Sequence, residues 1–288
     1  MPTVNVLTNL LEIGSNAFNG CLNLATVTLP STLTTVSAGA FTSCPKIVQV
    51  LDLRVGEKIQ KITSNAFAEY INSGSFATVV KKEGDYYTFT NGTLKYLLGV
   101  ANQNLTQVTG LSNYNITNII GYAFYNNQKI QNVVIPQNVI NIGAYAFYGC
   151  SNLASITMSN SVTELGSYIF NNCTSLNNVV LSDEITQIGS YAFSGCTSLT
   201  SITMPKKLTT LSSSIFKGCT SLTNIVLNEG LTSISSECFN NTAITELLIP
   251  STVQSIGANG PITSWNSVFV GCTKLKEVKF APNSQLTI

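Results

Sequence analysis

The chain has 288 residues, of which 44% are hydrophobic and only 9% are charged, and its formal net charge is +1. A surface with so few charges must consist largely of Ser, Thr and Asn, and it offers no electrostatic footprint for nucleic acid or for an anionic membrane. The chain has no histidine, which removes the commonest general base and the commonest metal ligand.

A phenylalanine recurs along the chain with a fixed period. Phe18 and Phe41 are 23 residues apart, and the same step separates six successive phenylalanines from Phe124 to Phe239. A period of about 20 to 29 residues is the signature of a leucine-rich repeat solenoid. We therefore predict that residues 1–288 form a single solenoid of about ten repeats.

Apolar residues take fixed positions around each phenylalanine, as the repeat around Phe193 illustrates. Ile188 and Gly189 precede it and indicate a short extended segment that ends in a tight turn. Ile202 and Met204 follow it and alternate with polar residues, which is the period of a strand. The predicted class is α/β, with a concave parallel β-sheet and with short helical or 3-10 turns and short strands on the convex side. A lone coil buries too little to be stable, so coils must stack.

An insertion interrupts the repeat at about residues 68–112, because the chain upstream of Phe124 is 34 residues longer than one period. We interpret it as a β-hairpin or meander with a turn over residues 81–85 and a tight turn at Asn91-Gly92. Insertions collect where repeat proteins bind, but a spacer or local cap explains this one equally well. The candidate binding residues of the insertion are Lys81, Lys82, Tyr86, Tyr87, Phe89 and Tyr96.

The outward strand residues of the regular repeats form the main candidate binding surface. They fall eight and ten positions after each phenylalanine, on the concave side of the predicted sheet. Most are small polar or β-branched residues, which also stack well on a parallel sheet, so a purely structural role stays open for each. The candidates are Asn132, Val134, Ser155, Thr157, Asn178, Val180, Ser201, Thr203, Asn224 and Val226.

Seven of the eight cysteines occupy one slot, three residues after the phenylalanine. The spacing lacks the C-x-x-C pairs of metal or redox sites. Disulfides between neighbouring rungs are the alternative to free thiols. The parallel Cα–Cβ bonds of neighbouring rungs, however, keep the Cβ atoms too far apart for a disulfide. We expect reduced, buried thiols that act as small hydrophobes, with Cys238 pointing into the same core from another slot. The predicted thiol ladder comprises Cys21, Cys44, Cys150, Cys173, Cys196, Cys219 and Cys272.

Two further features contain aromatic residues. Tyr122, Tyr145, Tyr168 and Tyr191 lie two residues before successive phenylalanines. We interpret them as packing on the flank of the coils, and an aromatic strip that contacts sugar or protein is the alternative. A second insertion, at about residues 258–267, holds the only tryptophan of the chain.

The repeat around Phe193 resembles the unit of the BspA-like leucine-rich repeat family, which reads roughly L-T-x-I-G-x-x-A-F-x-G-C-x-x-L-x-x-I-x-I-P. The matching residues are Ile185-Thr186-Gln187-Ile188-Gly189, Ala192-Phe193, Gly195-Cys196, Leu199, Ile202 and Met204-Pro205. The similarity covers nearly the whole chain. It implies a right-handed, curved solenoid of a kind commonly displayed on the surfaces of bacteria and protist parasites, where members act in adhesion or host interaction.

The residues and the resemblance together predict a non-enzymatic recognition or adhesion module of a cell-surface or secreted protein. Its predicted partner is a protein or glycan ligand such as host extracellular matrix, bound through the concave sheet and the inserted β element. We predict no cofactor, no metal, no nucleic-acid partner and no direct membrane insertion. The alternative is an intracellular protein-binding scaffold or regulator that uses the same face. We expect the chain to be an excised fragment, with its signal and anchor outside it.

Overall fold

The computed structural model of the chain describes residues 3–5, 9–37, 39–44, 49–52, 57–60, 80–257 and 268–286. These residues contain 24 β-strands and one 3-10 turn, Leu111–Tyr114. The chain divides into two compact units. Unit 1 comprises Met1–Leu105 and Tyr114–Phe124, and unit 2 comprises Thr106–Asn113 and Tyr125–Ile288. That the chain forms one solenoid of about ten repeats stays a prediction.

Unit 1 contains two small parallel sheets from the first coils and a third sheet from the insertion. In the first sheet β1, β3 and β5 pair in parallel with a step of 23 residues, as in Thr3↔Thr26 and Thr26↔Gln49. β2 pairs in parallel with β4, and β6 runs antiparallel to β5 at the end of the first sheet. The strands are β1 Thr3–Asn5, β2 Glu12–Ile13, β3 Thr26–Leu29, β4 Thr35–Val36, β5 Gln49–Asp52, β6 Glu57–Gln60, β7 Lys81–Glu83, β8 Tyr86–Asn91, β9 Leu94–Val100 and β11 Asn118–Ile119.

The insertion is part of a sheet of unit 1. β7, β8 and β9 form an antiparallel meander, and β9 pairs in parallel with the short strand β11. The tight turn between β8 and β9 is Gly92-Thr93, one residue later than the predicted Asn91-Gly92, because Asn91 pairs with Leu94 as the last residue of β8. The predicted turn over residues 81–85 is wrong for residues 81–83, which form β7; the turn itself is Gly84-Asp85. The misleading signal was the charge of Lys81 and Lys82, which an edge strand tolerates because one side of it faces solvent. The sequence also predicts a strand over residues 76–80, of which residues 76–79 lie outside the described residues and Val80 is not part of a strand.

Unit 2 is a stack of coils, most of which have a strand of three or four residues and a two-residue strand, as the repeat predicts. The longer strands pair in parallel in three groups, β10-β12-β14-β16, β18-β20 and β22-β24, and the short strands β13-β15-β17 and β19-β21-β23 pair likewise. The predicted continuous sheet is therefore divided. The strands are β10 Gln107–Val108, β12 Asn132–Ile135, β13 Asn141–Ile142, β14 Ser155–Met158, β15 Glu164–Leu165, β16 Asn178–Val180, β17 Gln187–Ile188, β18 Ser201–Thr203, β19 Thr210–Leu211, β20 Asn224–Val226, β21 Ser233–Ile234, β22 Glu246–Ile249, β23 Ser255–Ile256 and β24 Glu277–Phe280.

In the described repeats, the segment through the recurring phenylalanine is a hydrogen-bonded turn and not a helix. The N–H groups of Tyr145 and Phe147 donate to the next coil, to the carbonyl oxygens of Ser167 and Ile169, both at 2.9 Å. Tyr145 has φ of 59°, in the left-handed region that a continuing α-helix does not enter. The described residues contain no α-helix, so the predicted α/β class and its helical turns are not confirmed. Bonds to the next coil alternate along this turn with bonds inside it, such as the one from the Cys150 N–H to the carbonyl oxygen of Phe147 at 3.1 Å.

The phenylalanines form the centre of the core in unit 2. Phe147, Phe170, Phe193, Phe216 and Phe239 are fully buried. Their rings stack from coil to coil with centroid separations of 5.5, 5.3, 5.7 and 6.2 Å. Each buried ring removes a large apolar area from water, and it does so only because the next coil covers it. The 23-residue period is thus the spacing that places one ring over the next.

Candidate interaction surface

Ten outward side chains of β12, β14, β16, β18 and β20 form a surface that we call the strand face. The parallel register aligns Asn132, Ser155 and Asn178 in one row, and Ser155 Oγ donates a 2.7 Å hydrogen bond to Asn132 Oδ1. Asn132 and Ser155 are half-buried, and the other eight residues are exposed. The structure therefore places all ten predicted residues on the outward side of their strands, and their binding role stays a prediction.

Valines interrupt the polar rows of the strand face at every second coil. Val134, Val180 and Val226 are 42%, 47% and 49% exposed, and Thr157 and Thr203 occupy the equivalent place in the coils between them. None of the ten residues carries a charge. The strand face therefore combines exposed methyl groups with carboxamide and hydroxyl groups, which is a mixture suited to an uncharged ligand.

A cleft of about 350 Å³ opens on the strand face between β16 and β18. Outward residues line it on both sides, with Asn178 and Val180 on one and Ser201 and Thr203 on the other. Asp183 is also among the residues that line it. The cleft thus lies among residues that the sequence already selected, although nothing in the sequence pattern indicated an opening there.

Several charged groups of unit 2 pair between neighbouring coils. Lys206 contacts Asp183 and Lys207 contacts Glu184, each at 2.5 Å. Such exposed pairs contribute little to stability. Within the described part of the chain, no group of three or more Cys, Asp and Glu side chains is placed to hold a metal ion. No helix in that part is long and apolar enough to cross a membrane.

The candidate residues of the insertion differ in exposure. Lys81 and Lys82 are exposed. Tyr86, Tyr87 and Phe89 are only 3%, 5% and 1% exposed, so they pack in the core and are not available to a ligand at the surface. Sequence reasoning missed this because alternation places residues on two faces but does not say which face a neighbouring strand or turn covers.

The remaining aromatic residue of the insertion, Tyr96, is half-buried and stacks on Phe89 at 4.9 Å. Burial, reinforced by the nearby Asp85 carboxylate, raises the pKa of Tyr86 to about 12. A tyrosine in this state stays neutral at physiological pH. Its ring packs edge-to-face on Tyr114 at 5.5 Å, as expected for a structural residue.

The predicted burial of the cysteines is confirmed for five of the seven ladder residues and for Cys238, and it is wrong for Cys21 and Cys272. All eight are free, six are buried, and Cys21 and Cys272 are half-buried. The thiol of Cys196 donates to the carbonyl oxygen of Phe170 in the preceding coil at 3.2 Å, and the same contact recurs at 3.1 Å in the coils on either side. The slot therefore selects a small apolar side chain that also satisfies a buried carbonyl oxygen, a contact that sequence reasoning did not anticipate.

Burial also determines the reactivity of these thiols. It raises the pKa of Cys150, Cys219 and Cys238 to about 12 and holds the pKa of Cys173 and Cys196 well above the ordinary value. Because the thiolate is the nucleophile, thiols in this state are inert.

The tyrosines form a stack on the flank of unit 2. The rings of Tyr145 and Tyr168 have centroids 4.7 Å apart, as do those of Tyr168 and Tyr191, and Tyr125 stacks on Tyr148 at 5.0 Å. Neighbouring rings cover their faces, which leaves edges and hydroxyl groups for solvent. Since aromatic recognition of a sugar uses a free ring face, this geometry favours flank packing over a sugar-binding strip.

The coils stack with parallel strands, and each repeat has one turn of constant length. This architecture is that of a leucine-rich-repeat protein. Residues 1–99, 99–196, 141–260 and 188–288 match the family model of the BspA type leucine rich repeat region, with six copies. The chain belongs to this family, and the resemblance seen in the sequence is confirmed. No curated protein matches it.

Several solved structures are similar. A leucine rich cell surface protein from Faecalibacterium prausnitzii is 25% identical with a TM-score of 0.60, and the match covers 70% of this chain and 54% of that one. A leucine-rich repeat protein from Eubacterium ventriosum is 21% identical with a TM-score of 0.59, covering 93% of this chain and 82% of that one. The chain spans about half the length of the F. prausnitzii protein. These likenesses show a shared fold.

Proposed function

We propose that the protein is a non-enzymatic recognition and adhesion module that acts at a cell surface and binds protein or glycan through the strand face. The observation that carries the proposal is the strand face itself, which exposes uncharged carboxamide, hydroxyl and valine side chains. Such groups lose less hydration energy on binding than charges do. Successive coils repeat them, so that contacts spread over an extended area, as is usual for solenoid proteins.

Membership of the BspA-type family supports a role in molecular interaction, since the matched model is that of a repeat region and not of an enzyme. One similar structure is a cell surface protein, which supports the proposed extracellular location. The exposed lysines of the insertion, Lys81 and Lys82, are a second proposed contact in unit 1. Lysines at a surface attract acidic groups, so this contact favours an anionic part of the ligand.

Binding of the protein to a glycan array and to a panel of extracellular-matrix proteins tests the proposal. Thr157→Arg places a long cation in the strand face and is expected to weaken binding of any ligand found by at least about tenfold. Thr186→Arg is the matched control, because Thr186 is exposed but lies next to the short strand β17. Equal binding by the two variants would contradict the role of the strand face, and failure of every ligand would contradict adhesion.

A further inference from the structure

The longer strands of unit 2 are interrupted between β16 and β18, although the repeat keeps its 23-residue period there. β16 pairs with β14 and β18 pairs with β20, but among the described residues no bridge joins β16 to β18. Most Cα–Cα distances between β16 and β18 exceed 8 Å. Paired strands lie about 4.8 Å apart and strands that flank a third lie about 9.6 Å apart. β16 and β18 are therefore farther apart than paired strands are.

The register shows which backbone groups of β16 face the gap. The N–H of Asn178 donates to the carbonyl oxygen of Ala154 at 3.2 Å, on the side of β14. In a parallel pair, the N–H and C=O of one residue point to one side and those of the next residue to the other. Val179 and Leu181 therefore direct their backbone groups toward β18.

β18 presents the complementary edge. The carbonyl oxygen of Thr200 accepts from the N–H of Asn224 at 3.3 Å, on the side of β20, so Ser201 and Thr203 direct their backbone groups toward β16. The bond that the repeat predicts from the N–H of Ser201 to the carbonyl oxygen of Asn177 is not formed. The cleft of about 350 Å³ thus has an unpaired strand edge on each side.

The other side of the same coils has a second break at the same junction. At the preceding junction, the N–H of Gly189 donates to the carbonyl oxygen of Leu165 at 2.9 Å and β15 pairs with β17. Ser212 occupies the position of this glycine one coil later, and its hydroxyl group donates to the carbonyl oxygen of Ile188 at 2.5 Å. Where the Ser212 hydroxyl replaces the backbone donor, β17 and β19 form no bridge among the described residues.

We propose that this cleft binds an extended peptide segment, which adds a strand between β16 and β18. The inference deepens the proposed function and rests on it, because both strands belong to the strand face. Two facing edges with unpaired N–H and C=O groups match the backbone of an extended peptide, whereas sugar hydroxyl groups do not repeat with the period of a strand. The carboxamide and hydroxyl groups of Asn178 and Ser201 at the cleft then contact the outward side chains of the peptide.

The probe is a fluorescein-labelled peptide with the sequence of residues 152–159, which contains β14, the strand that pairs with the other edge of β16. Its fluorescence anisotropy is expected to rise saturably on titration with the protein, with a dissociation constant below about 1 mM, while a peptide of scrambled order does not bind. If the peptide shows no saturable binding while Thr157→Arg still weakens the binding of other ligands, the peptide-binding role of the cleft is overturned and the proposed function stands.

Two ways of closing the cleft test whether the peptide binds there. Ser212→Gly is expected to let the ladder close and to weaken peptide binding by at least about tenfold. Ser235→Gly changes the same position of the next coil, where β19 and β21 already pair, and is expected to have no effect. Cross-linking Val180→Cys/Thr203→Cys with a short bifunctional thiol reagent closes the cleft directly, whereas Thr157→Cys/Val180→Cys joins strands that are already paired. Undiminished binding by the cross-linked first pair would overturn the proposal.

Amide hydrogen exchange supplies a readout that needs no ligand. The amides of Val179 and Ser201 are expected to exchange faster than those of Asn178 and Asn224, and to become protected in the peptide complex. Equal protection of all four in the free protein would show a closed ladder and contradict the inference. If cross-linking the cleft abolishes binding of a saccharide, and the peptide does not displace that saccharide from the open protein, the cleft is a glycan site and the inference is wrong.

Discussion

Replacing Gly189 by alanine tests how closely adjacent coils approach. A Cβ atom at this position would lie 2.3 Å from the backbone N and 2.5 Å from the Cα of Ser167. Favourable contacts between such atoms need about 3.5 Å, so the two coils must separate by roughly 1 Å. Overpacking of this kind costs about 1 to 3 kcal/mol, and loss of the hydrogen bond from Gly189 to Leu165 adds about 1 kcal/mol.

We therefore expect Gly189→Ala to lower the free energy of unfolding by about 2 to 4 kcal/mol. Urea unfolding followed by circular dichroism measures this, and hydrogen exchange of the amides in β15 and β17 locates it. Gly14→Ala is the matched control, because a Cβ at Gly14 meets nothing within 4 Å and the change is expected to stay within about 0.5 kcal/mol. If the two variants are equally stable, close approach of the coils is not the reason for glycine at this position.

Two further predictions follow from ionisable groups. At about pH 8, iodoacetamide is expected to modify the half-buried Cys21 and Cys272 in the native protein and to leave Cys196 unmodified until unfolding. Rapid modification of Cys196 in a folded sample, detected by mass spectrometry, would contradict its burial. Although burial alone would raise the pKa of Glu83, its bonds with Lys95 and Thr88 lower the pKa below the ordinary value of 4.5. Its stabilisation is therefore full above pH 4.5 and is lost as the pH falls through the lowered value. Glu83→Gln should be less stable than the original protein at neutral pH and equally stable in acid, as urea unfolding at several pH values shows; a difference independent of pH would refute this.

The repeating part of the fold could be predicted from the sequence because one period specifies every coil. The phenylalanine step gave the core, and the alternation around residues such as Ile202 gave the strands and their outward faces. Pairing then follows, since neighbours of equal length align Ser201 with Asn224. Periodicity is a strong signal here because each coil is stable only through the next.

The turn through the phenylalanine could not be predicted from that pattern. Its apolar spacing suits a helical turn, but the left-handed backbone of Tyr168, with φ of 57°, breaks the helix. Tyrosine is not a residue that signals such a conformation. The hydrogen bond from the Tyr168 N–H to the carbonyl oxygen of Ser190 in the next coil, at 2.9 Å, offsets the cost of this backbone conformation. The sequence of a single repeat does not show such contacts between coils.

The candidate site was predicted in part. The strand face follows from alternation, whereas the cleft does not follow from the residue type at Ser212. Ser235 also replaces the glycine of this slot, yet its backbone N–H donates to the carbonyl oxygen of Leu211 at 2.9 Å and its ladder is closed. Among the described residues, only Ser212 bonds through its hydroxyl group to the preceding coil at this slot, and a repeat pattern does not show that difference. The insertion misled for a related reason: Tyr86 and Phe89 read as exposed aromatic residues until the strands and turns around them are known. Burial in a meander depends on which elements cover each face, and periodicity does not carry that information.

Hydroxyl-radical footprinting with and without a bound ligand tests the role of the strand face most directly. Val180 and Val226 are 47% and 49% exposed on this face, and Ile140 is 43% exposed outside it. Exposed aliphatic side chains of similar accessibility are oxidised at comparable rates in the free protein. Protection of the two valines on binding, with Ile140 unchanged, is the predicted result. Protection of Ile140 with the valines unchanged would place recognition elsewhere on the coils and contradict the account.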